Sequence, residues 1–280
     1  MAARSVEDLL PLRSILQVPQ GNVPSEEDLA SHADAVLLSL AHDGPPASDL
    51  RKAAAESLDR IRQSRKRALV RVNNPRTGLL RDDLEAIVGP ALDAVLVNAT
   101  SDPQELRDAA VHLRELELHR DLEPGHVLLF AVVDSARGVL RAPEFMTAVA
   151  RAAGLVFDSA GYAWDIGARD EELGPRLSYA RGAVVAAARA HGGLPLIVAS
   201  PFQLRFHAQS GFAGAIVAER RAMMVANEVF QPNQFARRRL EEALARFDAA
   251  RAEGATVARY GERVIDGPTA RRLRQRLISR

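Results

Sequence analysis

The chain contains no cysteine. That absence excludes disulfides, thiol nucleophiles and thiolate metal sites, and it fits a reducing compartment. Charge of one sign is also missing in bulk, since 37 basic residues stand against 36 acidic ones and leave a net charge of +1. Such a balance gives no field for steering onto nucleic acid or an anionic membrane, so neither is expected as a partner. The run Arg271-Arg272-Leu273-Arg274-Gln275-Arg276 is a local exception and reads as the solvated face of a terminal helix. No apolar stretch approaches the roughly 20 residues of a membrane span. Glu7 and Asp8 precede the first apolar run, so no signal peptide is expected and the expected location is the cytoplasm. No Pro/Gly/Ser-rich tract is long enough for a flexible linker, and no internal repeat is visible. No glycine-rich phosphate loop follows the first apolar run either; Pro19-Gln20-Gly21-Asn22 comes nearest and fits neither nucleotide fingerprint.

What is present is a chain of 280 residues, 47% hydrophobic, enough for one large core. Short apolar runs occur at Ser14–Val18, Ala35–Leu40, Ala68–Val72, Ala94–Val97, Val127–Val133, Leu155–Phe157, Pro195–Ala199 and Gly214–Ala218. They are apolar on both faces, as parallel strands covered by helices are. Between them Leu50–Ile61, Pro103–Leu118, Gly138–Ala152 and Leu177–Ala190 carry apolar residues at helical spacing. Eight alternating units in this length predict a (β/α)8 TIM barrel rather than an open sheet. The barrel is expected over residues 1–232. Residues 233–280 form a C-terminal helical extension: a long polar helix from about Asn233 to Glu253, a polar segment Thr256–Ile265, and a basic last helix. The extension is expected to pack on the barrel or on a neighbouring subunit.

The segment Val132-Val133-Asp134-Ser135-Ala136-Arg137-Gly138-Val139 is the most informative. An acid at the carboxyl end of a buried parallel strand is where a barrel enzyme places a metal ligand or catalytic group. Asp134 reads both ways, as such a ligand or as the N-cap of the helix that follows, and one role does not exclude the other. Arg71 ends the third strand beside Asn73; a planar guanidinium there grips a carboxylate bidentately, which Lys does not. Arg137 reads as structural, at a helix start. His42 with Asp43 is a candidate acid/base pair, set against an ordinary lone histidine. The other histidines show no metal-ligand spacing, and His112 and His119 read as surface residues of one helix.

The order of landmarks resembles the citrate lyase β-subunit-like family of the HpcH/HpaI aldolase superfamily. Matching stretches are Arg13-Ser14-Ile15-Leu16 with Pro19, Asp34-Ala35-Val36-Leu37-Leu38, and Val70-Arg71-Val72-Asn73. They continue with Asp134-Ser135-Ala136-Arg137-Gly138-Val139, Leu177-Ser178-Tyr179-Ala180-Arg181, Val225-Ala226-Asn227-Glu228-Val229-Phe230 and Ile265-Asp266-Gly267-Pro268. The resemblance covers nearly the whole chain and implies a carbon–carbon lyase acting on an acyl-CoA thioester of the citryl, malyl or 3-hydroxyacyl type, or on a small oxo-acid. It implies Mg²⁺ as cofactor, because cleavage develops an enolate that a divalent ion and an Arg stabilise. It also implies a homotrimer or hexamer.

Residue by residue, the resemblance makes Arg71 the substrate-carboxylate arginine and Asp134 a metal and substrate ligand. Asp266 becomes an acid/base group of the kind lent to a neighbouring subunit, although Asp-Gly-Pro is also a natural turn. The second metal acid of the family falls at Gly161, with Asp158 close by as a substitute ligand or a turn residue, and Asp165 reads as a loop or cap residue. Other expected groups are replaced: Ser39-Leu40-Ala41-His42 stands for Asp-Leu-Glu-Asp and Asn98-Ala99 for Pro-Lys. Val198-Ala199-Ser200 lacks an Asp, and Glu219-Arg220 stands for His-Pro. Two readings follow, a divergent lyase with a rearranged metal site, and an inactive paralogue serving as a regulatory or partner subunit, in that case a hetero-oligomer with an intact relative. A third is a non-catalytic binder of an acyl-CoA or carboxylate through Arg71.

Overall fold

Eight parallel strands close into a barrel in chain order, the first hydrogen-bonded to the last. The computed structural model describes residues 4–42, 48–168, 177–231 and 234–278. The strands are β1 Ser14–Gln17, β2 Ala35–Ser39, β3 Arg67–Val72, β4 Ala94–Val97, β5 Leu128–Val133, β6 Ala152–Asp158, β7 Leu194–Val198 and β8 Gly214–Val217. The helices of this unit are α1 Glu26–Ala30, α2 Ser48–Gln63, α3 Leu80–Ile87, α4 Pro103–His119, α5 Ala136–Ala148, α6 Ser159–Asp165, α7 Ser178–Ala190, α8 Leu204–Gln209 and α9 Met223–Val229. The chain divides into two compact units, Met1–Phe230 and Gln231–Arg280.

Alternation of side chains along each strand sorts the barrel's apolar residues into two clusters. Outward residues such as Val36, Val70, Val95 and Leu129 pack with Leu58, Leu84, Leu113 and Phe145 of the helices. Inward residues such as Ile15, Leu37, Leu69, Leu96, Phe130 and Leu196 fill the barrel, and Leu9 and Leu12 close its amino end. Phe130 is fully buried there, and Phe130→Ala would cost about 3–5 kcal/mol through lost transfer energy and the cavity left behind.

Local signals fix the helix starts. Pro103 opens α4 behind Asp102, whose side chain accepts the Gln104 N–H, with Glu105 completing a capping box. Strand β6 begins three residues earlier than the apolar run Leu155–Phe157, because Ala152-Ala153-Gly154 pairs into the sheet despite poor strand propensity. Gly154 is required there, since a Cβ on it would stand 2.1 Å from the Leu194 carbonyl oxygen.

The landmarks around Arg13 and Asn227 brace the amino end. Arg13 donates a fork to Asp34 at 2.9 and 2.8 Å. The Ser14 hydroxyl donates to Asn227 Oδ1 at 2.7 Å, and Asn227 Nδ2 donates to the His32 carbonyl at 2.6 Å.

The second unit contains α10 Gln234–Ala252, an antiparallel pair β9 Val257–Tyr260 and β10 Arg263–Asp266, and α11 Gly267–Ile278. The expected polar segment is thus a hairpin, and the extension is not purely helical. Its own small core holds Ala243, Leu244, Phe247, Ala258, Ile265 and Ala270. Among the described residues no helix is long and apolar enough to cross a membrane.

Candidate functional site

The period-2 rule that sends Leu69, Leu96 and Phe130 into the barrel also determines what stands at its carboxyl end. The same parity continued to the strand ends makes Arg71 and Asn98 the next inward positions after Leu69 and Leu96, Asp134 the next after Val132 and, on β6, Asp158 the next after Val156. Four polar residues from four consecutive strands therefore meet at the barrel mouth, at the end where barrel enzymes carry their chemistry.

Arg71 is held in this group from two sides. Its Nε donates to Asn98 Oδ1 at 2.7 Å, and its Nη2 donates to Asp158 Oδ2 at 3.2 Å. Both partners of the ion pair are largely shielded, with side chains 16% and 19% exposed. The other carboxylate oxygen of Asp158 accepts the Gly161 N–H at 3.3 Å, so Asp158 caps α6 as well as pairing with Arg71.

Among the described residues no other side chain donates a hydrogen bond to Asp134, whose carboxyl is stabilised by its own backbone N–H and the charge of Arg71. Ser135, not Asp134, caps α5: its hydroxyl accepts the Gly138 N–H at 3.2 Å. Burial and the nearby charge of Asp158 push the Asp134 carboxyl up to about 6, against the attraction of Arg71. Asp165 adds to this push and is itself engaged, accepting the Ala136 N–H at 2.7 Å.

Gly161 lies against Asp134. A Cβ built on it would fall 2.8 Å from the Asp134 Cβ. The position where the resemblance expects a second metal acid thus has no room for any side chain while Asp134 keeps its place. Asp134 and Asp158 remain as the donor set. A buried carboxylate raised by a neighbouring carboxylate is the electrostatic condition that a divalent cation relieves. Mg²⁺ commonly takes one or two carboxylates and fills its octahedron with water and substrate, so these two residues fit it. Among the described residues no group of three or more His, Asp or Glu side chains forms a metal cluster.

The remaining expectations divide plainly. Asn73 is structural: it takes the His42 N–H at 3.2 Å and donates to the Leu40 carbonyl and to Asp83 at 3.0 and 2.7 Å. His42 Nδ1 sits 2.8 Å from the Leu40 carbonyl oxygen, and Asp43 lies outside the described residues. Arg137 pairs with Asp102 at 3.3 Å on the surface. Glu219 pairs with Arg221 at 2.7 Å, and Arg220 with Glu27 at 2.7 Å. Asp266 ends β10 and accepts the Thr269 N–H at 2.8 Å, which caps the start of the helix Gly267–Ile278 where the sequence suggested a turn. Asn98 is the site residue that the sequence reading passed over. Its signal was parity, two residues beyond the inward Leu96 that pairs with Arg71.

Comparison with known proteins gives a consistent picture. The family model HpcH/HpaI aldolase/citrate lyase matches residues 14–213. A (3S)-malyl-CoA thioesterase of Cereibacter sphaeroides is 30% identical over 273 residues, covering 92% of this chain and 88% of that protein. Citrate lyase subunit beta of Escherichia coli K12 is 28% identical over 219 residues, covering 74% of this chain and 71% of that one. Among solved structures, CitE of Mycobacterium tuberculosis in complex with magnesium, acetoacetate and coenzyme A superposes with a TM-score of 0.63 at 21% identity, over 95% of this chain and 97% of that chain. A citrate lyase from Burkholderia xenovorans LB400 gives a TM-score of 0.70 at 14% identity, over 94% and 90%.

Proposed function

This chain belongs to the HpcH/HpaI aldolase/citrate lyase family, and on that premise we propose that it is a carbon–carbon lyase acting on an acyl-CoA thioester or a small oxo-acid. The observation that carries the proposal is the cluster of Arg71, Asp134 and Asp158 at the carboxyl ends of β3, β5 and β6. Arg71 binds the carboxylate of the oxo-acid or hydroxy-acid part, and Asn98 fixes the plane of its guanidinium. Accepting that carboxylate displaces Asp158 from Arg71, which frees an Asp158 oxygen to join Asp134. Substrate and cation are therefore expected to assist one another: the carboxylate releases the second ligand. Asp134 and Asp158 are the residues that would hold Mg²⁺. When bound, the ion supplies Lewis-acid polarisation of the substrate oxygen. The apolar wall beneath, Leu96, Phe130 and Val132, excludes water from the floor of the site.

One observation favours a second reading. Gly161 is packed against Asp134, so position 161, where the family's second metal acid is expected, supplies no carboxylate. In that reading the chain is an inactive partner or regulatory subunit that retains carboxylate binding at Arg71.

The experiment is a panel of citryl-, malyl- and 3-hydroxyacyl-CoA thioesters with Mg²⁺ or Mn²⁺, followed by chromatography of the CoA products. Asp266 enters as a proposed acid/base group, so Asp266→Asn is assayed beside wild type and Arg71→Gln. Turnover that is abolished in Arg71→Gln and reduced in Asp266→Asn supports the lyase. Absence of turnover across the panel, with carboxylate binding intact, supports the partner subunit.

A further inference from the structure

The amino end of the barrel, opposite the mouth, carries a cavity of about 440 Å³. Arg4, Arg62, Arg65, Lys66 and Arg67 line it, against the two carboxylates Asp34 and Asp93. Both carboxylates are already satisfied. Asp34 takes the two-pronged fork of Arg13. Asp93 accepts from Arg4 at 3.0 Å and from the Ala68 N–H at 2.9 Å, with Arg67 3.7 Å away. Among the described residues Arg62, Arg65 and Lys66 have no carboxylate partner in an ion pair.

Carbonyl capping explains part of this arrangement. Arg62 donates to the Pro90 carbonyl, and Lys66 Nζ donates to the carbonyls of Ser31 and Ala33 at 2.5 and 3.0 Å. It does not explain Arg65. That residue closes the C-terminal turn of α2, with its N–H donating to the Arg62 carbonyl at 2.9 Å, and it adopts a left-handed φ of +61°. Glycine is the favoured residue at such a position, because an L side chain is strained there. The chain instead places an exposed cation on the cavity's edge.

We propose that this cavity binds a small polyphosphate, a molecule with two or more linked phosphoryl groups, either free or as part of a nucleotide. Five cations less two carboxylates leave +3 around the space, which matches a diphosphate or triphosphate better than a single carboxylate. Guanidinium forks suit phosphoryl oxygens bidentately, and Lys66 keeps a third ammonium hydrogen for the ligand. The volume falls within the range of small-molecule sites. The cavity is walled by four segments that are distant in sequence, around Arg4, Asp34, Arg62–Arg67 and Asp93. An occupant ties them together and stabilises the fold without touching the mouth, so the inference stands apart from the reaction proposed above.

The test uses the full chain with pyrophosphate and tripolyphosphate, read by calorimetry and thermal melting, with sodium chloride at matched ionic strength as the control. The expected result is saturable one-to-one binding and a rise in melting temperature that the salt control does not reproduce. Arg65→Gly is the discriminating variant, because glycine suits the left-handed φ. It should melt no lower than wild type without ligand, yet bind about tenfold or more weakly. Arg62→Gln should weaken binding in the same way, and Arg71→Gln should leave it unchanged. Absence of saturable binding at millimolar ligand overturns the proposal. So does binding that survives in both Arg62→Gln and Arg65→Gly, or binding that is lost in Arg71→Gln.

Discussion

Gly161 and Asp134 touch backbone to side chain: a Cβ on Gly161 would stand 2.8 Å from the Asp134 Cβ, closer than two carbon atoms pack. The two positions are thus alternatives. A side chain at 161 requires Asp134 to move, and Asp134 in its present place requires glycine.

Gly161→Ala is therefore expected to destabilise the protein by about 1–3 kcal/mol through overpacking, despite the better helix propensity of alanine. Removing the opposing Cβ should relieve this. In an Asp134→Gly background the same Gly161→Ala change should cost much less, giving a double-mutant coupling of about 1 kcal/mol or more in denaturant melts. Additive effects would show that the close approach has no energetic consequence. Gly161→Asp alone should not create a stronger metal site.

Arg71 is already engaged with Asp158 and Asn98, so its substitution acts twice. Arg71→Lys keeps the charge but loses the fork, and oxo-acid affinity should fall by about 1.5–3 kcal/mol, the range of a charge-assisted hydrogen bond. Calorimetric titration with oxaloacetate or glyoxylate in the presence of Mg²⁺ measures this. Equal affinity in Arg71→Lys and wild type would exclude Arg71 from carboxylate binding.

Asp134 is a half-buried carboxylate with Asp158 as its neighbour and burial as its main burden. Asp134→Asn keeps the shape and removes the charge. In metal-free protein at neutral pH it should raise stability by about 1–3 kcal/mol, while removing the gain that wild type shows with Mg²⁺ and oxo-acid. A loss of stability in metal-free Asp134→Asn would mean that the carboxylate makes a favourable contact in the fold.

His207 gives a pH prediction that does not involve the mouth. It is fully buried between Phe206 and Phe212, and burial together with the Arg181 charge holds its pKa down at about 4. The unfolded chain takes up a proton near pH 6.5, where the native state does not. Stability should therefore fall as pH drops from about 6.5 toward 4, by up to roughly 3 kcal/mol in all. His207→Gln should flatten that limb of the stability curve in chemical denaturation between pH 7 and 5. An unchanged slope would assign the acid sensitivity to other groups.

Much of the barrel was legible in the sequence because each strand is a short apolar run between polar helices. The runs at Ala94–Val97 and Gly214–Ala218 coincide with β4 and β8 almost to the residue. Strand β6 was underestimated because Ala152-Ala153-Gly154 has no strand propensity of its own and is recruited by pairing with β5 and β7. The β9–β10 hairpin was missed for a different reason: its strands are four residues long, Arg and Asp interrupt them, and Val257 and Val264 stay exposed while only Ala258 and Ile265 are buried, so no continuous apolar run marks them. Arg71 and Asp134 could be read because strand ends are points where polarity breaks an apolar run. The bond from Arg71 to Asn98 could not, since it depends on the β3–β4 register, and neither could the meaning of Gly161, which depends on where α6 crosses the end of β5. Several landmarks that carry the family resemblance, Arg13, Ser14, Asp34 and Asn227, brace the amino end of the barrel. Lineage was therefore easier to read than activity.

The most direct test of the central claim is Mg²⁺ and Mn²⁺ binding by calorimetry, with and without oxaloacetate or glyoxylate, for wild type and Asp134→Ala. The account predicts that the oxo-acid strengthens metal binding, because it displaces Asp158 from Arg71, and that Asp134→Ala abolishes it. Metal binding that is indifferent to the oxo-acid, or no binding at millimolar metal in wild type under any condition, would contradict it.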